Sequence, residues 1–217
     1  DDSVTAHEDS YFIYTATAIV TEDYTIIFSF DQLAQWRTAE ADSVFGTPSD
    51  SDTDTSFLVI ASDGELENTL VVFIDIIHIN DPPNDFALLF PEEETIIQTL
   101  TPLFEWEASF DPDLTDTVRY TLYYGTMIPD LQMVSVDTAT SYQVSTSLSD
   151  NTTYYWKVVA IDLNDASTEN TGGYHSFRVN TANDLPGDFA LLSPDSGSMV
   201  TDLTPTLHWE EPVDPDD

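Results

Sequence analysis

Asn80-Asp81-Pro82-Pro83-Asn84-Asp85-Phe86-Ala87-Leu88-Leu89 decides how the chain is organised, because it returns as Asn183-Asp184-Leu185-Pro186-Gly187-Asp188-Phe189-Ala190-Leu191-Leu192. The offset is 103 residues. It also carries Thr101-Pro102 onto Thr204-Pro205, Trp106 onto Trp209 and Asp111-Pro112-Asp113 onto Asp214-Pro215-Asp216, with no insertion or deletion between. A period of about a hundred residues is domain-sized rather than solenoid-sized. The chain therefore reads as tandem modules, each opened by an Asn-Asp-x-Pro joint: residues 1–81, residues 82–183, and the N-terminal part of a further module, 184–217.

Within the modules the apolar residues alternate as strands require. Phe104 and Trp106 face one way, and the repeat keeps the pattern, with Leu207 and Trp209 in their places while outward Leu103 becomes Thr206. Val118, Tyr120, Leu122 and Tyr124 mark the next strand, Tyr154, Trp156, Val158 and Ala160 another, and Phe177-Arg178-Val179 closes the module. In residues 1–79, the runs Tyr11–Tyr14, Tyr24–Phe28, Phe57–Ala61 and Leu70–Ile79 are rich in β-branched and aromatic residues. Turn signals separate them, Gly46-Thr47-Pro48 and Ser62-Asp63-Gly64-Glu65 among them. Leu33–Trp36 would make one helical turn at most. The expectation is an all-β chain of antiparallel sandwiches.

Charge narrows the partners. Forty-one acids stand against four bases, a formal net charge of −37, so nucleic acid and anionic membrane surfaces are excluded as partners. With 41% hydrophobic residues, 12% of the chain aromatic, this is a folded protein rather than an acidic tail. So much like charge repels itself, and either bound cations or a saline habitat would offset it. There is no cysteine, hence no disulfide framework and no thiolate metal site. No apolar run reaches the length of a membrane span, and Asp1-Asp2-Ser3 carries no signal-peptide pattern. The chain reads as a processed or excerpted piece of something longer.

Residues 84–182 resemble a fibronectin type III domain, and the resemblance restarts at residue 187. Trp106 lies on its second strand, and Leu148-Ser149-Asp150-Asn151-Thr152-Thr153-Tyr154 leads into Tyr155-Trp156-Lys157-Val158 with the spacing of a tyrosine corner. The first module resembles the dystroglycan-type cadherin-like repeats of bacterial and archaeal surface proteins. The residues carrying this are Glu8-Asp9-Ser10, Gly46-Thr47-Pro48, Ala61-Ser62-Asp63-Gly64 and the exit Ile79-Asn80-Asp81-Pro82-Pro83. Together these imply tandem immunoglobulin-like or fibronectin type III-like sandwiches. Arrays of the cadherin kind hold calcium between modules with oxygen ligands. Carried over residue by residue, the ligands would be Asn80 and Asp81 in the linker, Asp111 and Asp113 after the Trp106 strand, Asp162 after the Tyr154–Ala160 strand, and Glu8 with one of Asp50, Asp52 or Asp54. Ile77-His78-Ile79 stand where the cadherin pattern places further acids. At the start of the first module, Ile19-Val20-Thr21-Glu22-Asp23 replaces the Asp-x-Asp of an upstream site.

No sequence pattern marks catalysis. His7, His78, His175 and His208 are scattered without ligand spacing, and His78 and His175 lie in strand runs. No phosphate loop, serine elbow or Cys–His pair is present. Lys157 alternates with Trp156 and so faces outward, which argues against a buried isopeptide crosslink. Tyr123, Tyr155 and Trp36 would be the residues of a carbohydrate-stacking surface, although sandwich modules carry outward tyrosines routinely. Asn151-Thr152-Thr153 matches a glycosylation sequon, but the fold also needs a turn there.

The resulting expectation is an extracellular or cell-surface structural protein: a stalk, adhesin segment or fibre subunit with calcium-stiffened joints and no enzyme activity. Its partners would be other modules of the same or identical chains, with a surface ligand or carbohydrate as a further option. The alternative is an accessory or carbohydrate-binding region of a secreted enzyme. Because two strands alone are marginal in water, Leu207 and Trp209 are expected to be covered by a partner chain or by further residues.

Overall fold

The computed structural model describes residues 2–20 and 25–216. By compactness the chain divides into two units. One comprises residues 1–84 together with 110–117 and 162–166; the other comprises 85–109, 118–161 and 167–217.

Among its described residues the first unit contains seven strands: β1 (Asp2–His7), β2 (Phe12–Thr15), β3 (Ile27–Asp31), β4 (Arg37–Glu40), β5 (Ser43–Gly46), β6 (Thr55–Ser62) and β7 (Glu67–Ile77). They form one sheet in the order β1-β7-β6-β3 and a second in the order β2-β5-β4. β1 runs parallel to β7; the other pairings are antiparallel. Alternation sends Val72, Ile74 and Ile76 of β7 and Phe57 and Val59 of β6 into a core shared with Phe12 and Val44. The β6–β7 hairpin turns at Gly64, whose φ of +93° suits glycine, while Asp63 Oδ1 accepts from the Glu65 and Leu66 N–H groups. Gly46 is required for space: an added Cβ would stand 2.0 Å from the Trp36 carbonyl oxygen.

Several expectations shift here. The Tyr24–Phe28 run starts its strand only at Ile27, and Tyr24 lies outside the described residues, as do Thr21-Glu22-Asp23 and Asp217. The long strand ends at Ile77 rather than Ile79, so His78 falls just beyond it. Trp36 is no exposed platform: it packs edge-on to Phe12, ring centroids 5.9 Å apart, and Arg37 stacks over it. Arg37 is buried between Trp36 and Phe57, a placement that alternation alone does not announce.

The second unit carries β8 (Leu88–Phe90), β9 (Thr95–Ile97), β10 (Leu103–Trp106), β11 (Arg119–Gly125), β12 (Gln132–Asp137), β13 (Ser141–Gln143), β14 (Thr152–Ile161), β15 (Ser167–Glu169) and β16 (His175–Val179). One sheet runs β13-β10-β8 and the other β12-β11-β14-β16-β9, with β15 beside β14. The predicted inward residues are the core: Phe104, Trp106, Tyr120, Leu122, Tyr124, Tyr154, Trp156, Val158, Ala160, Phe177 and Val179 are all buried. The Ser149 N–H donates to the Tyr154 hydroxyl at 2.9 Å, the backbone contact a tyrosine corner makes. A 3₁₀ turn, Ile128–Asp130, is the only helix among the described residues. The fold class is all-β, built of immunoglobulin-like antiparallel sandwiches.

Beyond these, β17 (Leu191–Ser193) pairs with β18 (His208–Trp209). Leu207 and Trp209 are 54% and 58% exposed. The strand pair is held by its own backbone, with Glu210 N–H donating to the Ala190 carbonyl and Gly187 N–H to that of Val213.

Candidate metal centre

In the first unit the linker strand leaves β7 and runs past the end of β1. There Glu8, one residue past β1, turns inward and is only 1% exposed. Burying a carboxylate without partners is costly. Glu8 is partnered: the Ile79 N–H donates to Oε1, and His78 Nδ1 lies 2.6 Å from Oε2. The bond to Glu8, more than any distant charge, raises the His78 pKa above its ordinary value.

Around this anchor the expected ligands gather. The Asp81 N–H donates to Asp113 Oδ2 at 2.9 Å. Asn80 Nδ2 donates to Asp162 Oδ2 at 2.7 Å, and Asn164 Nδ2 donates to Asn80 Oδ1. Asp162 is 2% exposed and braces its own loop, with Oδ1 accepting from the Asn164 and Ala166 N–H groups. Asp113 N–H donates to Asp111 Oδ1 at 3.0 Å, so the Asp-Pro-Asp segment folds back on itself. The carboxylates sort into two groups whose oxygens lie within 4.8 Å of one another: Glu8 with Asp50 and Asp81, and Asp111 with Asp113 and Asp116. Among Asp50, Asp52 and Asp54, only Asp50 enters a group. Asp52 instead accepts from Ser49, and Asp54 from the Ile76 N–H. Asp116 and Asn164 were not anticipated. Each approaches through a tight loop turn, and no spacing in the sequence marks such an approach.

Two features indicate what this geometry can hold. Asp50 Oδ1 and Asp111 Oδ2 are buried and accept no hydrogen bond among the described residues. A buried carboxylate oxygen without a protein donor calls for a partner from outside the chain, a water or a cation. The electrostatics agree. Burial first, and then the fields of Asp9, Glu8 and Asp113, push Asp50 above the usual carboxylate range. Burial followed by Asp50 and Asp9 does the same to Asp81. Burial, then Asp116, Asp113 and Asp162, raises Asp111 despite its backbone hydrogen bond. The donor set is all oxygen, so the residues fit a hard cation such as calcium and not a soft or nitrogen-preferring metal.

The second unit repeats the arrangement 103 residues on. Asp184 N–H donates to Asp216 Oδ2 at 2.6 Å, Asp216 N–H to Asp214 Oδ1 at 3.0 Å, and Asn183 Nδ2 to the Asp184 carbonyl at 3.2 Å. Their counterparts are Asp81 with Asp113, Asp113 with Asp111, and Asn80 with the Asp81 carbonyl. Here Asn151, the sequon residue, donates from Nδ2 to Asp184 Oδ2, and its Oδ1 and Asp216 Oδ1 are again buried without a donor.

No protein-family model matches the chain, and no curated protein matches it. Among solved structures it is similar to the EC1-2 repeats of human protocadherin-24, at 13% identity over 85% of this chain and 95% of that one, with a TM-score of 0.48. It is similar to Drosophila N-cadherin EC1-3 at 16% identity, over 87% of this chain and 65% of that one, with a TM-score of 0.35. It is also similar to the sixth fibronectin type III domain of human fibronectin type III domain containing protein 3, at 18% identity over 51% of this chain and 94% of that one, with a TM-score of 0.36. No helix among the described residues is long and apolar enough to cross a membrane.

Proposed function

We propose that the chain is an extracellular structural segment, a stalk, adhesin segment or fibre subunit, whose Asn-Asp joints are stiffened by calcium. The observation that carries the reading is the pair of donorless buried oxygens, Asp50 Oδ1 and Asp111 Oδ2, in two carboxylate groups beside the Asn80-Asp81 linker. Glu8, Asp50 and Asp81 would supply one set of ligands, and Asp111, Asp113 and Asp116 the other, with Asn80 and Asp162 bracing the linker between them. Such a cation neutralises carboxylates that otherwise repel one another. It also ties the linker to loops 110–117 and 162–166, which hang from β10, β11, β14 and β15. A flexible connection becomes a stiff one. The linker hydrogen bonds recur at Asn183-Asp184.

Sites of this extracellular type bind at about 10⁻⁴–10⁻³ M. Small-angle scattering in millimolar calcium and in chelator is expected to give a longer or less flexible particle with calcium. Asp113→Ala is expected to remove the difference. Superimposable wild-type profiles in the two conditions would sink the proposal.

A further inference from the structure

The linker and loop 162–166 are joined by a hydrogen-bond relay made of protein groups alone. Its root is Asp162, 2% exposed. The loop folds back on this carboxylate. Oδ1 accepts from the Asn164 and Ala166 N–H groups, each at 2.8 Å, and the Asp162 N–H donates to the Ala166 carbonyl at 3.1 Å. Asp165 closes the turn at a φ of +70°, a conformation that aspartate adopts more readily than most residues. Oδ2 faces the linker and accepts from Asn80 Nδ2 at 2.7 Å. Asp162 therefore has donors on both oxygens, which sets it apart from Asp50 and Asp111.

The relay has a direction. An ionised carboxylate can only accept, so the Asn80 atom beside Asp162 is the amide nitrogen. Asn80 Oδ1 then points the other way, where Asn164 Nδ2 donates to it. One buried charge thus orients two exposed amides in succession. Asn80 Nδ2 also donates to the Asp81 carbonyl, and the Asp81 N–H donates to Asp113 Oδ2, which carries the order into the linker backbone.

We propose that Asn80, Asn164 and Asp162 form a latch that seats the linker before any cation binds, with Asp162 and Asn164 as its positioning residues. The bond to Asp162 is the strong one, because a charge-assisted hydrogen bond is roughly twice as strong as a neutral one. The bond from Asn164 keeps the Asn80 amide from turning its nitrogen away from Asp162. A seated linker has less freedom left to lose, so a cation held by Asp81 or Asp113 orders less of the chain on binding. The latch acts on one side of the linker only. On the other side the field of Glu8 still acts on Asp50, and that repulsion is what calcium would relieve. The latch belongs to the cation-free protein; only its consequence for affinity rests on the calcium reading.

The test is amide hydrogen exchange, followed by NMR on the full chain in chelator, so that a failed calcium reading leaves the result intact. The Asp81 N–H of wild type is expected to be protected. Asn80→Asp replaces the donor by a second carboxylate facing Asp162 and is expected to lower that protection about tenfold or more. Asn164→Asp keeps the shape and loses the donor, and a fall of about two- to tenfold is expected. In both variants the Val72 amide, in the core strand β7, should stay as protected as in wild type, whereas a general loss of stability would expose both amides. Should Asn80→Asp unfold the first unit, Asn80→Ala is read in the same way. An unprotected Asp81 N–H in wild type would overturn the proposal. So would variants that leave its protection unchanged, or that lower the protection of Val72 equally.

Discussion

Replacing Asp50 and Asp111 together by asparagine separates a cation site from a merely acidic loop cluster. Asparagine keeps the shape, and Asp50 Oδ1 and Asp111 Oδ2 lose no hydrogen bond, because neither accepts one among the described residues. Without cation, ionised carboxylates at these positions are unfavourable, as their raised pKa values indicate. The double variant in chelator is therefore expected to be at least as stable as wild type. With calcium the order reverses. At ~10 mM free calcium and a dissociation constant of about 10⁻⁴–10⁻³ M, one site stabilises wild type by about 1.4–2.7 kcal/mol. For domains of this size that is an upward shift in Tm of about 6–20 °C. The variant loses two charged ligands and is expected to lose most of that shift. Differential scanning calorimetry in chelator, in calcium and in sodium chloride at matched ionic strength reads all three quantities. A wild-type shift reproduced by sodium chloride would refute the reasoning, as would a variant that keeps the full calcium response.

The pH dependence of the cation-free protein has a defined sign. Asp50, Asp81 and Asp111 hold protons more tightly folded than unfolded, so stability falls as pH rises from about 3.9 through their raised values. His78 adds stability that is fully present below 6.5 and lost as pH rises through its raised folded value. Asp63 and Asp150, shifted downward, change only below the ordinary carboxylate value. Urea unfolding in chelator should thus show greater stability at pH 5 than at pH 7.5, and the reverse order would count against the clustered-carboxylate account. In Glu8→Gln, the His78 resonance followed by NMR should titrate closer to the ordinary histidine value; an unmoved titration would mean that Glu8 is not its partner. Tyr154→Phe removes the acceptor of the Ser149 N–H and should cost about 0.5–1.5 kcal/mol, read as a lower unfolding temperature of the second unit, with calcium binding unchanged.

Where alternation or repetition operates, the sequence is legible. Phe104, Trp106, Tyr154 and Trp156 announce their burial because a strand turns every second side chain the same way. The offset of 103 ties Asp81 and Asp113 to Asp184 and Asp216, and the two pairs make the same backbone contact. What escapes is chemistry set by loops and by desolvation. Asp116 and Asn164 join the first site through short turns without period. Arg37 is buried because its guanidinium finds two aromatic faces, Trp36 and Phe57, while alternation would have left either orientation open. Leu207 and Trp209 alternate as core residues do yet stay more than half exposed within this chain, where the β17–β18 pair is held by local backbone hydrogen bonds.

The acidity has two competing origins, and burial discriminates between them. Adaptation to general salt places carboxylates where water and monovalent ions solvate them, and exposed acids such as Glu65, Glu67 and Asp75 fit that account. It does not by itself account for Asp50 Oδ1 and Asp111 Oδ2, which are buried and accept no hydrogen bond among the described residues, because burying a charged group without a partner is costly. A buried carboxylate oxygen without a described donor also stands in the Asp-Pro-Asp segment of the second joint, at Asp216, the counterpart of Asp113. The proposed cation would bring the positive charge that buried carboxylate oxygens in both places lack. On the proposed reading the exposed acids and the joint acids have separate physical causes, and the net charge of −37 combines a solvated surface with a small set of carboxylates that a bound cation would neutralise.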